Sequence, residues 1–174
     1  MKNATETTPR LYVGTYAKYN SGSIFGAWID LADYADADDF YAACKELHKD
    51  EDDPELMFQD YEGFPERLYG ESGGVSEIYE YLDLVADMSD DEKSAFEEYI
   101  DDGNGVDVDD FRDAWCGKYG DMKAYAEELA DELGYYDAME KAGMSELYFD
   151  IDAFARDVEC DYWVSDTGNV FSRC

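Results

Sequence analysis

Basic residues are scarce in this chain: 13 Lys and Arg stand against 45 Asp and Glu. A surface this poor in cations offers no groove for a phosphate backbone and is repelled by free nucleic acid and anionic membranes. Histidine occurs once, at His48, beside Lys49 near the end of an amphipathic segment. A cation there complements the helix dipole, which is a better reading than a general base. The chain has no Gly-rich phosphate loop, His-Glu-x-x-His or Cys-x-x-Cys, so phosphate cradling, zinc chemistry and dithiol redox chemistry lack their usual residues. Cys44, Cys116, Cys160 and Cys174 lie far apart and read as free thiols of a reducing compartment. No apolar run approaches the ~18 residues of a membrane span. Residues 1–9 are polar, lack the apolar centre of an export signal and read as a short frayed arm. The expectations are a cytoplasmic protein that is not an enzyme and has no catalytic residue, metal or cofactor.

What is present is negative charge on a chain able to build a core. The formal charge is -32 over 174 residues, yet 45% of the chain is hydrophobic and 16% aromatic. Disordered acidic chains are poor in aromatics, whereas this one has 16 Tyr, 9 Phe and 3 Trp. The charge is evenly spread. Acids outnumber bases by 14 to 5 in residues 1–62, 13 to 2 in residues 63–105 and 18 to 6 in residues 106–174. At one charge per ~1.7 Å of duplex axis, this excess corresponds to about 16 base pairs of DNA. Imitation of DNA is one explanation; a halophile's acidic shell is another.

The pattern predicts an α+β chain of three small domains: mixed α/β over residues 10–65, helical over 66–105, and mixed α/β over 106–174. Residues 10–16 and 23–31 read as a hairpin around the turn at 18–22. Asp36 caps a helix to about His48, and residues 55–61 form a strand. Val75, Ile78, Tyr79, Leu82, Val85 and Ala86 make one apolar stripe. Ser89 with Glu92 is a capping-box signature, and Ala95, Phe96, Tyr99 and Ile100 face inward behind it. A short helix near Asp107 carries Val108, Phe111 and Ala114, and residues 115–119 read as a strand. Asp121 caps a helix with Met122, Tyr125, Ala126, Leu129 and Leu133 on one face. After a turn around Gly143, Asp150 opens a helix through Phe154 and Val158. Residues 160–165 and 170–173 flank a second hairpin turn.

Residues 102–106 match positions 3 to 7 of an EF-hand loop, but position 1 is Ile100 and position 12 is Phe111. Without its first and bidentate last ligands, the segment reads as a polar turn. Paired carboxylates are too common to mark acid–base chemistry. The aromatics fit core spacing better than a stacking platform, which needs a basic groove. The acids expected to form a partner-binding surface are Asp50, Asp52 and Asp53 in the first third, and Glu77, Glu80, Asp83, Asp101 and Asp102 in the middle. Asp109, Asp110, Glu127, Glu128, Asp131 and Glu132 complete the set. Carboxylates four apart rise about 6 Å along a helix, close to two steps of ~3.4 Å along one DNA strand.

The stretch LYVGTYAKYNSGSIFGAW at residues 11–28 resembles the opening of the ArdA-type antirestriction proteins of mobile genetic elements. The resemblance continues in DPELMFQDYEGFP (53–65), FRDAWCG (111–117) and YFDIDAFARD (148–157). It runs from about Leu11 to Arg173, resting on length and acidity in the middle third. Around Met139 to Glu146 this chain has Gly143 where a Pro-containing turn is common in the family. The resemblance implies an elongated three-domain homodimer joined through the C-terminal domain and shaped like bent B-form DNA. It implies inhibition of type I restriction–modification enzymes through the DNA-binding groove of their methyltransferase core. Residues such as Arg112 and Arg156 would then neutralise crowded carboxylates. The rival reading is an acidic, chaperone-like binder of basic proteins.

Overall fold

The computed structural model describes residues 7–173 and divides into two compact units, one ending at Val106 and one beginning at Asp107. The expected helical middle domain, residues 66–105, lies within the first unit, and the second unit begins one residue after the expected boundary. The outermost part of the expected arm, residues 1–6, and the thiol of Cys174 are outside the described residues. The described end of that arm is anchored, because the Pro9 carbonyl accepts from the Leu31 amide at 2.9 Å.

In the first unit, β1 (Arg10–Thr15) is the centre of a three-stranded antiparallel sheet between β2 (Ala27–Asp30) and β3 (Leu56–Glu62). Its alternation sends Leu11 and Val13 into the core with Leu31, Phe40, Cys44 and Phe58. A register shift opposite Tyr12 and Val13 bulges β3 at Gln59. The strands β1 and β2 pair as expected, but no tight hairpin joins them. Thr15 ends β1 and caps α1 (Tyr16–Asn20), accepting from the Lys18 amide, and a loop then leads into β2. Asp36 caps α2 (Ala37–Leu47) through the Asp39 amide, as its sequence position predicts.

Val75, Ile78, Tyr81 and Val85 are the buried face of α3 (Val75–Val85). Tyr81 is fully buried where the stripe had Tyr79, and Ala86 is exposed. Both tyrosines serve. Tyr81 stacks on Phe96 of α4 (Asp90–Asp101) at 6.2 Å and donates to Glu97 at 2.5 Å. Tyr79 donates to the Leu31 carbonyl at 2.8 Å, tying α3 to the sheet side of the unit. Ser89 caps α4 through the Glu92 amide at 3.3 Å, and Ala95, Phe96 and Ile100 are buried.

The second unit opens with α5 (Val108–Ala114), capped by Asp107 through the Asp109 and Asp110 amides. Its sheet places β6 (Asn169–Ser172) between β4 (Trp115–Lys118) and β5 (Tyr162–Val164), all antiparallel. Trp163 stacks on Phe171 at 4.3 Å, and buried Asn169 accepts from the Trp115 indole at 3.2 Å. Two helices, α6 (Met122–Glu132) and α8 (Ile151–Val158), pack together, burying Met122, Tyr125, Ala126, Ala155 and Val158 with Val170. Asp121 and Asp150 cap them through the Ala124 and Ala153 amides. Leu133, expected on the apolar face of α6, is exposed, and Ala130 is buried there instead.

Between these two the sequence predicts only a turn around Gly143. The structure has α7 (Tyr135–Lys141), which buries no residue. It ends in a Schellman motif: the Met144 amide donates to the Met139 carbonyl and the Gly143 amide to the Glu140 carbonyl, both at 2.9 Å. The motif needs a left-handed residue, and Gly143 supplies it with φ of 70°. Glycine therefore ends the helix where the sequence predicts a turn.

Candidate protein-binding acidic surface

All fourteen candidate acids are exposed, and Asp50 is held in an ion pair with Lys18. Lys18 lies 2.8 Å from Asp50 and 3.2 Å from Glu51. The hydrogen bond from Lys18 holds the Asp50 carboxyl below the usual range, and Asp50 in turn raises the Lys18 ammonium. Asp50 thus belongs to a structural network, while Asp52 and Asp53 beside it stay exposed.

That network corrects the reading of His48. Its ring is fully buried, with Nδ1 2.9 Å from Lys18 Nζ and Nε2 3.2 Å from the Val13 carbonyl. An ammonium can only donate and a carbonyl can only accept, so Nδ1 carries the lone pair and Nε2 the proton. The neutral tautomer follows from its partners, and His48 is no helix-end cation. Thr15 completes the cluster by donating to Glu51 at 2.8 Å.

On α3, Glu77, Glu80 and Asp83 lie on the exposed side, away from the buried Val75, Ile78, Tyr81 and Val85. Asp101 is the last residue of α4 and Asp102 its cap, and Asp101 accepts from the Arg67 amide at 3.1 Å. The following turn is polar, as expected: Asn104 donates to the Tyr99 carbonyl at 2.8 Å. Among the described residues no group of three or more His, Cys, Asp or Glu is arranged to hold a metal ion. In the second unit, Asp109 and Asp110 occupy the first turn of α5, where the helix dipole favours them.

Glu127, Glu128, Asp131 and Glu132 are all exposed on α6, opposite its buried face, and Tyr119 donates to Glu128 at 3.3 Å. Asp131 and Glu132 occupy the last turn, which contains no basic residue. The last turn of α4 likewise ends in an acid and lacks a base. Anions there oppose the helix dipole, each by about 0.3–1 kcal/mol. These carboxylates weaken their own helices, so local stability does not explain them.

The bases instead serve particular acids. Arg10 meets Glu62 at 2.6 Å, Lys49 meets Glu46 at 2.6 Å and Lys123 meets Asp152 at 2.7 Å. Arg156, one of the expected neutralisers, acts on Asp152 one helical turn away and helps to lower its carboxyl after Lys123. Sequence reasoning missed the exposed Asp137 and Glu140, because α7 has no buried stripe to betray it. The signal was a segment bracketed by Gly134 and Gly143 whose second half, Ala138 to Ala142, is made of helix formers. It also missed the large apolar side chains Leu133, Met144, Leu147 and Tyr148 that stand exposed nearby in sequence.

Such a surface defines an acidic α+β protein with many exposed carboxylates and several of its bases held in ion pairs. The sequence pattern of the ArdA family, antirestriction proteins, matches residues 11–171, and the chain belongs to that family. Antirestriction through imitation of DNA is accordingly its general function. A comparison with curated proteins gives no match.

Proposed function

We propose that this protein occupies the DNA-binding groove of type I restriction–modification enzymes, on their methyltransferase core, and excludes DNA from it. The carboxylates at the C-terminal ends of α4 and α6 carry this reading, since they stand where their own helices disfavour them. A groove that binds DNA is lined with Lys and Arg, and much of its affinity comes from neutralising phosphates. A folded polyanion satisfies the same cations without offering a base sequence, so enzymes of different sequence specificity are all targets. No bond is made or broken, and the cytoplasm is where target and inhibitor meet.

The acting form is a homodimer, which doubles the length of charge available. The second unit supports this with Leu147, 94% exposed, and with exposed Leu133, Met144 and Tyr148. Fully burying one such side chain contributes about 1.5–3 kcal/mol. The test is displacement of a labelled DNA duplex from a purified type I methyltransferase, with a plain basic peptide as a parallel target. Competitive displacement, with little binding to the peptide, is expected. Persistence of the enzyme–DNA complex at saturating inhibitor refutes the proposal, and equal binding to the peptide replaces it with a general binder of basic proteins.

A further inference from the structure

The loop between α1 and β2 bears an apolar feature that a charge decoy does not need. Ile24 is 79% exposed and Tyr19 53% exposed. Together they rim a hollow of about 360 Å³ whose other walls are Met57, Phe58, Gln59, Tyr69 and Glu71. Single exposed hydrophobic residues need no explanation, but this one borders an apolar hollow and is held in place. The Tyr12 hydroxyl lies 3.2 Å from the Ile24 carbonyl and 3.1 Å from that of Gly26, sharing its proton between them. The Ser23 amide donates to Lys18 at 2.9 Å and the Phe25 amide to the Ser23 hydroxyl at 3.2 Å. A Cβ at Gly26 would stand 2.5 Å from the Val13 carbonyl, so only glycine lets the loop return this close to β1. Across the hollow, Tyr69 is fixed by donating to the Phe58 carbonyl at 2.6 Å. The walls are preorganised, so binding there orders little.

We propose that this hollow docks an apolar side chain set among lysines and arginines in the target's DNA-binding groove. The proposal rests on the function above and adds a salt-independent contact to a charge-driven one. Charge complementarity selects the occupant. Glu71 lines the hollow and Asp60 acts on the same tyrosine hydroxyl, raising it after burial and Glu71. At that rim a basic surface sets its cations against Glu71 and Asp60.

The test titrates wild type, Ile24→Asn and Tyr19→Ser against a purified type I methyltransferase at several salt concentrations, with thermal melts as the folding control. Because Ile24 is exposed, its replacement should leave the melt unchanged. Loss of its burial in the complex is expected to weaken Kd by about tenfold at every salt concentration. The slope of log Kd against log salt should stay at the wild-type value, because no charge has been removed. Wild-type affinity for both variants at all salts overturns the docking proposal and leaves the decoy reading standing. Failure of the wild type to bind sinks both. Variants that bind normally but change the sedimentation of the free protein assign the hollow to a second copy and overturn the proposal.

Discussion

Replacing Glu127, Glu128 and Glu132 with Gln and Asp131 with Asn removes four charges from the exposed face of α6 while preserving side-chain shape. Gln at 128 can still accept from Tyr119, which lies 3.3 Å from Glu128. Each exposed carboxylate contributes about 0.2–1 kcal/mol to a screened contact. Four together contribute about 0.8–4 kcal/mol, a loss in affinity between about fourfold and several hundredfold. Folding should move the other way. Glu127 faces Asp131 and Glu128 faces Glu132 one turn apart, and such like-charge pairs destabilise a helix by about 0.2–0.5 kcal/mol each. Relief of the dipole conflict at Asp131 and Glu132 adds to this. The expected variant therefore melts at or above the wild-type temperature, binds the methyltransferase more weakly and shows a flatter salt dependence. Calorimetric titration at ~0.1 M and ~0.3 M salt, screening exposed charges to different extents, reads both effects. An unchanged Kd with an unchanged salt slope refutes the assignment of this face to the partner. A lowered melting temperature refutes the argument that these acids weaken their helix.

Circular dichroism should show a folded protein at ~50 mM salt and a complex that loosens as salt rises. Unfolding at low salt, with a complex that tightens steadily as salt is added, would instead identify a halophile's acidic shell. Sedimentation at micromolar concentration should show a dimer of the 19.8 kDa chain, with Leu147→Asp shifting it to monomer and leaving the melt intact; a wild-type monomer refutes the dimer. At alkaline pH the buried tyrosines govern stability. Burial, with nearby acids, pushes Tyr79 from 10.0 up to about 12, and burial followed by Glu97 raises Tyr81. Between pH 10 and 12 the unfolded chain loses the Tyr79 proton that the folded chain keeps, so stability falls as pH rises through that window. Phenolate absorbance should therefore show a late fraction that ionises only with unfolding. Titration of all 16 tyrosines near pH 10 with the fold intact contradicts this.

Helix starts were legible in the sequence because capping is local. Asp36, Ser89, Asp107, Asp121 and Asp150 each accept from an amide two or three residues on, and the apolar spacing behind them sets the buried face. The acidic surface was legible too, since crowded carboxylates cannot all be buried. Ala86 and Leu133 depart from the stripes because a stripe's last residue is buried only if a neighbouring element reaches it. The turn of α7 was hidden because periodicity reports a helix only through what it buries, and α7 buries nothing. His48 shows most plainly what tertiary structure alone decides. Its neighbour Lys49 suggests a surface cation, but the ring is enclosed by groups 30 and 35 residues away in sequence, Lys18 and Val13. An imidazole donates or accepts according to what meets each nitrogen, and only the folded chain brings a cation to one and a carbonyl to the other. The same Lys18 pairs with Asp50, which stays exposed. Composition determined that the molecule is a polyanion with a core; the packing of distant segments determined which carboxylates meet a cation.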